Sequence, residues 1–229
     1  MTDPVMQGNT SPETQREGAQ TSPSAFASYV ILALGLALFI RFFIAAPYVV
    51  SGASMEPTFD NWDYLITDRL SYRLTEPERG DVVVFCLPGT GECSLVERLK
   101  NRELAAPRTL IKRVIGLPGE TVSVSDEGIR IVSTEHPEGF VLDEPYLSAG
   151  NRGGPTGMTT TLSAGEYFVM GDNRRVSSDS RIWGTLPKED IIGHVLVRLF
   201  PLTTLGVLPG DASYSEKTQS NAQDSGQTQ

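Results

Sequence analysis

Residues 110–119 read LIKRVIGLPG, and this stretch decides the fold. A short apolar run that stops at a Gly and Pro turn predicts a buried β-strand rather than a helix. Residues 81–86 (DVVVFC) have the same character. β-branched residues dominate both runs, as is typical of strands. The two stretches therefore predict a mainly β domain.

Shorter signals on either side extend this prediction. Residues 121–124 and 129–132 flank the turn sequence SDEG at 125–128, which is the pattern of a β-hairpin. Further strands are predicted at 166–170 and 193–200. Two segments lack a strand pattern: an inserted loop at 87–109, which contains a short amphipathic helix at 94–100, and a second long loop at 150–161. The strands together are predicted to form one β-rich domain over 47–203.

Composition narrows the classes of partner. The 229 residues carry a formal net charge of -9, and the 19 basic residues are scattered. No basic stripe exists for a phosphate backbone, so nucleic acid is excluded as the expected partner. The two cysteines, Cys86 and Cys93, lack the spacing of a zinc site. They form one local disulfide in an oxidising compartment or remain two thiols, and the sequence leaves both open.

The two ends of the chain differ from its middle. Residues 1–24 and 204–229 are polar and are predicted to be disordered tails. Residues 25–46 are apolar except for Ser28 and Arg41, and a helix of this length spans a bilayer core. This segment is predicted to be an uncleaved transmembrane anchor. A cleaved signal peptide is the weaker alternative, because the preceding tail is acidic and Pro47 follows the small residues.

A serine lies shortly after this apolar segment. Ser54 belongs to residues 51–59 (SGASMEPTF), where a serine by itself is more typical of a turn. The second glycine of a nucleophile elbow and the lysine of a Ser-x-x-Lys motif are both missing. His136 and His194 lie in no triad pattern and are predicted to be structural. A nucleophilic Ser54 therefore needs another base, and an uncharged lysine is one candidate.

Lys112 is that candidate. Side chains alternate along a strand, so Lys112 shares the face of Leu110 and Val114, opposite Ile111 and Arg113. An amine on an apolar face loses water, and desolvation lowers its pKa toward the range of a general base. A third polar group of residues, 171–181 (GDNRRVSSDSR), follows the strand at 166–170 and by itself resembles a solvated loop.

Four segments, taken in order, resemble bacterial type I signal peptidases that have a single N-terminal anchor. They are 51–59, 79–85 (RGDVVVF), 112–119 (KRVIGLPG) and 171–184. The resemblance implies an antiparallel β domain of coiled sheets that follows one transmembrane helix. It also implies no metal or organic cofactor.

The same resemblance assigns roles to individual residues. Ser54 is expected to be the nucleophile and Lys112 the general base, with Ser177 orienting the lysine amine. Arg113 is expected to pair with Asp172, and Asp179 with Arg181. The shallow substrate pockets, which admit small side chains and so select Ala-x-Ala-like sites, are expected to be lined by Tyr48, Val50, Phe59, Leu110 and Ile111.

The resemblance also implies the partners and the location. The expected partners are the signal peptides of secretory preproteins and membrane lipid. The expected location is the cell membrane, single-pass, with the N-terminus cytoplasmic and the catalytic domain outside; the flanking charges alone do not settle this orientation. Gly52 departs from relatives that have a serine hydroxyl there, so the second oxyanion donor stays unassigned.

Two rival interpretations are weaker. A LexA-like self-cleaving protein also combines a Ser/Lys pair with a β-rich domain, but the anchor and the lack of a helix-turn-helix argue against it. A catalytically silent β-rich module that binds extended segments is the rival from another class.

Overall fold

The computed structural model describes residues 23–90, 108–147, 149–151, 157–210, 212 and 214. The chain divides into two units, Met1–Phe39 and Ile40–Gln229. The first unit contains helix α1, Pro23–Phe39, whose large apolar side chains are exposed. No helix in the described part of the chain has both the length and the apolar character required to span a bilayer. The transmembrane anchor therefore stays a prediction.

The end of the predicted anchor is wrong. The second unit begins with a π-helical turn, Ile40–Ile44, and strand β1, Ala45–Val49. Ala45 and Ala46 were expected to be helical, but they pair with the neighbouring strand, which satisfies their backbone groups in the sheet. Of the tail predicted at 1–24, residues 1–22 lie outside the described part of the chain.

Two antiparallel sheets form the second unit. The large sheet has the order β1-β2-β11-β3-β4-β9-β10, with β12 paired to β11, and the small sheet has the order β7-β6-β5-β8. The strands that follow β1 are β2 Tyr64–Asp68, β3 Val82–Cys86, β4 Thr109–Gly116, β5 Thr121–Ser125, β6 Gly128–Val132, β7 Phe140–Val141, β8 Met158–Thr161, β9 Glu166–Met170, β10 Leu186–Pro187, β11 Ile191–Phe200 and β12 Gly206–Val207. Two short helices, α2 Ser71–Leu74 and α3 Ser180–Trp183, complete the unit.

Strand β3 explains how the large sheet is stabilised. Val82 and Val84 belong to one apolar cluster, whereas Val83 and Phe85 belong to another, so the strand is buried on both faces. A third cluster fills the space between the sheets: Ile115, Phe168 and Met170 of the large sheet pack with side chains of the small sheet. The mainly antiparallel β fold that the apolar runs predict is confirmed.

The connections differ more from the predictions than the central strands do. The hairpin is confirmed as β5 and β6, but the loop predicted at 150–161 is wrong at its end, because 158–161 form β8 beside β5. The insert begins after Cys86 and ends before Thr109, and its residues 91–107, including the predicted helix at 94–100, lie outside the described residues. Cys86 is buried and disulfide-bonded. Its predicted partner Cys93 lies outside the described residues, so the pairing stays a prediction.

The C-terminal tail predicted from residue 204 is also wrong in its first part. Strand β12 pairs with β11, with Val207 opposite Val197, and Tyr214 packs against the cluster between the sheets. Residues 215–229 lie outside the described part of the chain.

Candidate active site

Ser54 lies in a tight loop between β1 and β2. The backbone at Gly52 has a φ of 99°, a conformation that favours glycine, and its N–H donates to Asn61 Oδ1 at 3.0 Å. Met55 and Phe59 have no exposed surface and attach the loop to the core, and the Phe59 N–H donates to Met55 O at 3.0 Å. These apolar side chains therefore anchor the loop in the core, while Ser54 stays partly exposed.

Lys112 of β4 reaches this serine from 58 residues away in the sequence. Its Nζ lies 2.8 Å from Ser54 Oγ and 2.7 Å from the carbonyl oxygen of Ile111. Only 3% of Lys112 is exposed, as the strand alternation predicts. The pairing of a hydroxyl with a buried amine is the geometry that a serine nucleophile and its base require.

The environment of Lys112 favours the uncharged amine. Burial lowers the pKa of Lys112 from 10.5 to about 8, against the opposing charges of Asp179 and Asp172. Among the described residues, no carboxylate forms an ion pair with this amine. With a pKa near 8, roughly a tenth of the amine is uncharged at neutral pH, so an uncharged amine is available without a large energetic cost.

Arg113, the next residue on β4, has the opposite environment. It forms a two-point ion pair with Asp172, with Nε–Oδ1 at 2.8 Å and Nη2–Oδ2 at 2.6 Å, and neither side chain is exposed. Burial acts to lower the pKa of Arg113, but the hydrogen bonds and charge of Asp172 outweigh it and raise that pKa. Thr58 Oγ1 also donates to Asp172 Oδ2 at 2.5 Å, which connects the ion pair to the Ser54 loop.

Residues 171–184 are not the solvated loop that their composition resembles. The Asn173 N–H donates to the Ser54 carbonyl oxygen at 3.0 Å, and a Cβ on Gly171 would lie 2.4 Å from that same oxygen. Only glycine therefore permits this close approach. Asp179 pairs with Arg181, with Oδ1 to Nε at 2.7 Å, and accepts from the Gly171 N–H at 3.0 Å.

Ser177 is buried beside these groups, but its predicted contact is not formed. The Lys112 amine donates to Ser54 and Ile111 instead, and the Ser177 hydroxyl helps to lower the pKa of Asp179. The role of Ser177 in orienting the amine stays a prediction.

A small cavity of about 90 Å³ opens beside Ser54 and Lys112. It is lined by four of the five residues predicted to bind substrate, Tyr48, Val50, Leu110 and Ile111, together with Val49, Ser51, Leu65, Val84 and Thr109. Phe59 was predicted to line the substrate pocket, but it does not line this cavity. Its ring is fully buried below the loop, where the Arg198 guanidinium lies 4.9 Å from the ring centroid. Val84 was missed, although it pairs with Ile111 across β3 and β4.

The two histidines each pack against an aromatic ring. The His136 ring lies edge-on to Phe140 at 5.4 Å, and His194 stacks on Tyr72 at 5.7 Å. In the part of the chain that the structure describes, no group of His, Cys, Asp and Glu side chains has a geometry suited to a metal ion.

Comparison with known proteins identifies the family of the chain. A family model described as "Signal peptidase, peptidase S26" matches residues 24–200. The chain belongs to the signal peptidase family. The match covers β1 to β11 and includes both Ser54 and Lys112. Family membership makes the protein an enzyme, a serine peptidase.

Several curated signal peptidases are similar over most of their length. A probable signal peptidase I-1 of Synechocystis sp. is 36% identical over 179 residues, which cover 78% of this chain and 83% of that protein. Signal peptidase I of Leptolyngbya laminosa is 37% identical over 185 residues, which cover 81% of each. Signal peptidase I of Bacillus amyloliquefaciens is 33% identical over 202 residues, which cover 84% and 96%. A crystal structure of a signal peptidase I from Enterococcus faecalis is 29% identical and covers 53% of this chain and 97% of its own, with a TM-score of 0.38.

Some residues of this signal peptidase site have no clear sequence signal. Thr58, Asn61 and Asn173 each hold the Ser54 loop through one hydrogen bond. Thr58 lies inside segment 51–59, but its residue type does not indicate its contact with Asp172. Asn61 follows that segment, and nothing in its neighbours indicates that its side chain turns back to Gly52.

Proposed function

We propose that this protein is a membrane-anchored serine endopeptidase that removes N-terminal signal peptides from exported preproteins. Ser54 is the nucleophile and Lys112 the general base. The observation that carries the proposal is the 2.8 Å contact between Lys112 Nζ and Ser54 Oγ, made by a buried amine. The names of the relatives, all signal peptidases, support the substrate class.

The reaction proceeds in two halves. The uncharged Lys112 amine takes the proton of Ser54 Oγ as this oxygen attacks the carbonyl carbon of the scissile bond. The resulting ammonium returns that proton to the nitrogen of the leaving amine, the C–N bond breaks, and an acyl-enzyme on Ser54 remains. A water molecule then attacks the ester with its proton passing to Lys112, and the return of a proton to Ser54 Oγ releases the signal peptide.

The tetrahedral intermediate needs hydrogen-bond donors for its oxyanion. The Ser54 N–H fits this role, because it donates to no acceptor among the described residues. The Gly52 N–H is already engaged by Asn61 Oδ1, which makes it a poor second donor. Another backbone N–H or a water molecule supplies the second hydrogen bond.

The size of the cavity supports a preference for small side chains. At about 90 Å³, with Tyr48, Leu65 and Ile111 among its lining residues, it has room for about three water-sized groups, which fits a small side chain and not an aromatic one. A rigid apolar pocket rejects larger side chains by steric clash. This supports cleavage after Ala-x-Ala-like sites.

The distance from the apolar segment to the nucleophile supports action at a membrane. Ser54 lies ten positions after Ile44, where the helical part of the apolar segment ends, which is at most about 36 Å of extended chain. A signal peptide anchored by its own apolar segment presents its cleavage site at a similar depth. The N-terminus is then cytoplasmic, and the catalytic domain contacts lipid on the outer side.

The decisive test uses two substitutions and two matched controls. Ser54→Ala and Lys112→Ala should each abolish cleavage of an added preprotein by the detergent-solubilised enzyme, with unchanged circular dichroism. Ser178→Ala and Lys188→Ala, which lie outside the site, should cleave at the normal rate. Near-normal turnover by either dyad variant would refute the assignment. A wild-type enzyme that cleaves nothing in trans would instead favour a binding module or a self-cleaving protein.

A further inference from the structure

The segment after β11, which was expected to be a disordered tail, crosses the buried ion pair of the site. We call its described residues, 206–210, 212 and 214, the C-terminal strap. Its strand β12 pairs with β11, and the Leu208 N–H donates to Leu196 O at 2.7 Å. Two residues later, the carbonyl oxygen of Gly210 accepts a hydrogen bond from Nη1 of Arg113.

Two glycines allow the strap to approach closely. A Cβ on Gly210 would lie 2.5 Å from Thr58 Cγ2, and the Gly210 φ is 86°. A Cβ on Gly80 would lie 2.1 Å from the Ala212 carbonyl oxygen. The strap is therefore in van der Waals contact with the Ser54 loop on one side and with the turn before β3 on the other.

Tyr214 connects the strap to the small sheet. Its hydroxyl lies 3.0 Å from the hydroxyl of Tyr146, and the Tyr146 ring centroid lies 4.1 Å from Arg113 Cζ. Burial raises the pKa of Tyr214 to about 12, so the phenol stays neutral. The strap thus reaches Arg113 twice, once through the Gly210 carbonyl and once through the two tyrosines.

These contacts enclose the guanidinium. Asp172 covers one edge of it, Gly80 O accepts from Nη1 at 2.9 Å, Tyr146 covers a face, and Gly210 closes the remaining edge. Without Gly210 and Tyr214, water would reach an ion pair that now has no exposed surface. Hydrated ion pairs are weaker and less well ordered than dry ones.

We infer that the C-terminal strap is a positioning element of the peptidase site: it keeps the Arg113–Asp172 pair dry, and through Thr58 it holds the Ser54 loop against Lys112. The inference rests on the proposed function. It assigns Gly210 and Tyr214 a role in turnover, although neither contacts the reacting atoms.

Loss of the strap has a predictable effect on the pH dependence. The groups that act on the Lys112 amine are the Ser54 hydroxyl on its loop, the Ile111 carbonyl oxygen on β4, and the charges of Asp172 and Asp179 from the segment after β9. Water entering next to Asp172 reduces the desolvation of the amine, which is the main cause of its lowered pKa. Loosening of Arg113 frees the charge of Asp172 and acts in the same direction. Both changes raise the pKa of Lys112, so the acid limb of the pH–rate profile moves to higher pH.

The test compares two truncations of the full chain. One removes 210–229 and deletes Gly210 and Tyr214, and the matched control removes only 215–229. With a preprotein substrate, we expect the first to lose roughly 10- to 100-fold in kcat through misplacement of the nucleophile. Its KM should stay within about twofold, and its acid limb should rise by about one pH unit as the amine regains water. The control should match the full chain.

A single substitution keeps the inference falsifiable if the shorter chain does not fold. Tyr214→Ala in the full chain should lower kcat and raise the acid limb in the same way, with a smaller amplitude. A folded Tyr214→Ala variant with an unchanged kcat, or with a lower kcat and an unmoved limb, would overturn the positioning role.

Ser54→Ala in the same assay separates the two proposals. If Ser54→Ala is inactive while the 210–229 deletion is fully active, only the strap inference fails. If Ser54→Ala is active, the proposed function itself fails.

Discussion

Two neighbouring residues of β4, Lys112 and Arg113, have buried basic side chains in opposite environments. Lys112 is 3% exposed and Arg113 is fully buried, but Lys112 faces a hydroxyl and a carbonyl oxygen, whereas Arg113 faces a carboxylate. Burial lowers the pKa of Lys112 to about 8, and Asp172 raises that of Arg113. Burial therefore lowers the pKa of a basic side chain only where no carboxylate pairs with that side chain.

The carboxylates near Lys112 pair with arginines rather than with the Lys112 amine. Asp172 and Asp179 are the carboxylates close enough to influence Lys112, and each is engaged by an arginine, Arg113 and Arg181 respectively. Burial acts to raise the pKa of Asp179, but hydrogen bonds from Arg181 and the Gly171 N–H hold it below its usual value. The two arginines thus hold the negative charge away from the amine.

The largest effect is expected when Lys112 is replaced by arginine, so that both neighbouring β4 positions carry a guanidinium group. Lys112→Arg keeps a positive side chain, but a guanidinium does not lose its proton and cannot act as the base. We expect kcat/KM for preprotein cleavage to fall by at least about 10³-fold. The control is Lys188→Arg, because Lys188 forms a partly exposed ion pair with Glu76. Activity of Lys112→Arg within tenfold of wild type would show that the amine is not the base.

The second effect concerns stability and comes from removing the counter-charge of Arg113. Asp172→Asn leaves a buried guanidinium unpaired, which should lower the free energy of unfolding by about 3–5 kcal/mol. Chemical denaturation followed by circular dichroism measures it. The control is Glu127→Gln in the exposed β5–β6 turn, which should change stability by less than about 0.5 kcal/mol. A similarly small loss for Asp172→Asn would mean that the pair is not buried as described.

The third effect tests the close approach of the two loops. Gly171→Ala places a Cβ 2.2 Å from Ser177 Oγ and 2.4 Å from Ser54 O, so the Ser54 loop must move. We expect a loss of about 1–3 kcal/mol in stability from overpacking, with a fall in kcat. Gly150→Ala, where nothing lies within 4 Å, is the matched control. Equal activity and stability of both variants would contradict the packing.

The smallest effect concerns the predicted disulfide between Cys86 and Cys93. Without reductant, a thiol reagent should find no free cysteine in the unfolded protein, and after reduction it should find two. Cleavage activity should change little on reduction, because Cys86 is not among the residues that line the cavity. Two reactive thiols before reduction would contradict the disulfide.

The sequence predicts the centre of the fold better than its edges. Strand β3 is buried on both faces and therefore appears as a continuous apolar run, and the apolar residues of β4 flank Lys112 and Arg113. Strand β1 was hidden by the apolar segment before it, and β8 (MTTT) has no apolar alternation. The strap was missed because a polar segment docks there through glycine contacts and two tyrosine hydroxyls, and composition does not show these.

The same distinction applies to the site. The burial of Lys112 follows from alternation on a strand, and the structure confirms it. Phe59 was assigned to the pocket by the resemblance alone, and a resemblance in sequence does not show whether an apolar ring lines a pocket or lies beneath it. The contacts of Thr58, Asn61 and Asn173 depend on how distant segments meet, so a single sequence does not contain them.

Direct titration of the Lys112 amine tests the central claim most directly. The chain has four lysines, so the side-chain NMR signals of the ¹³C-labelled enzyme in detergent can be assigned with Lys112→Ala. We predict one lysine signal that titrates at about 8 and is missing in Lys112→Ala. A Lys112 signal that titrates at the ordinary lysine value of about 10.4 would contradict the account, because the amine would then be fully charged at neutral pH.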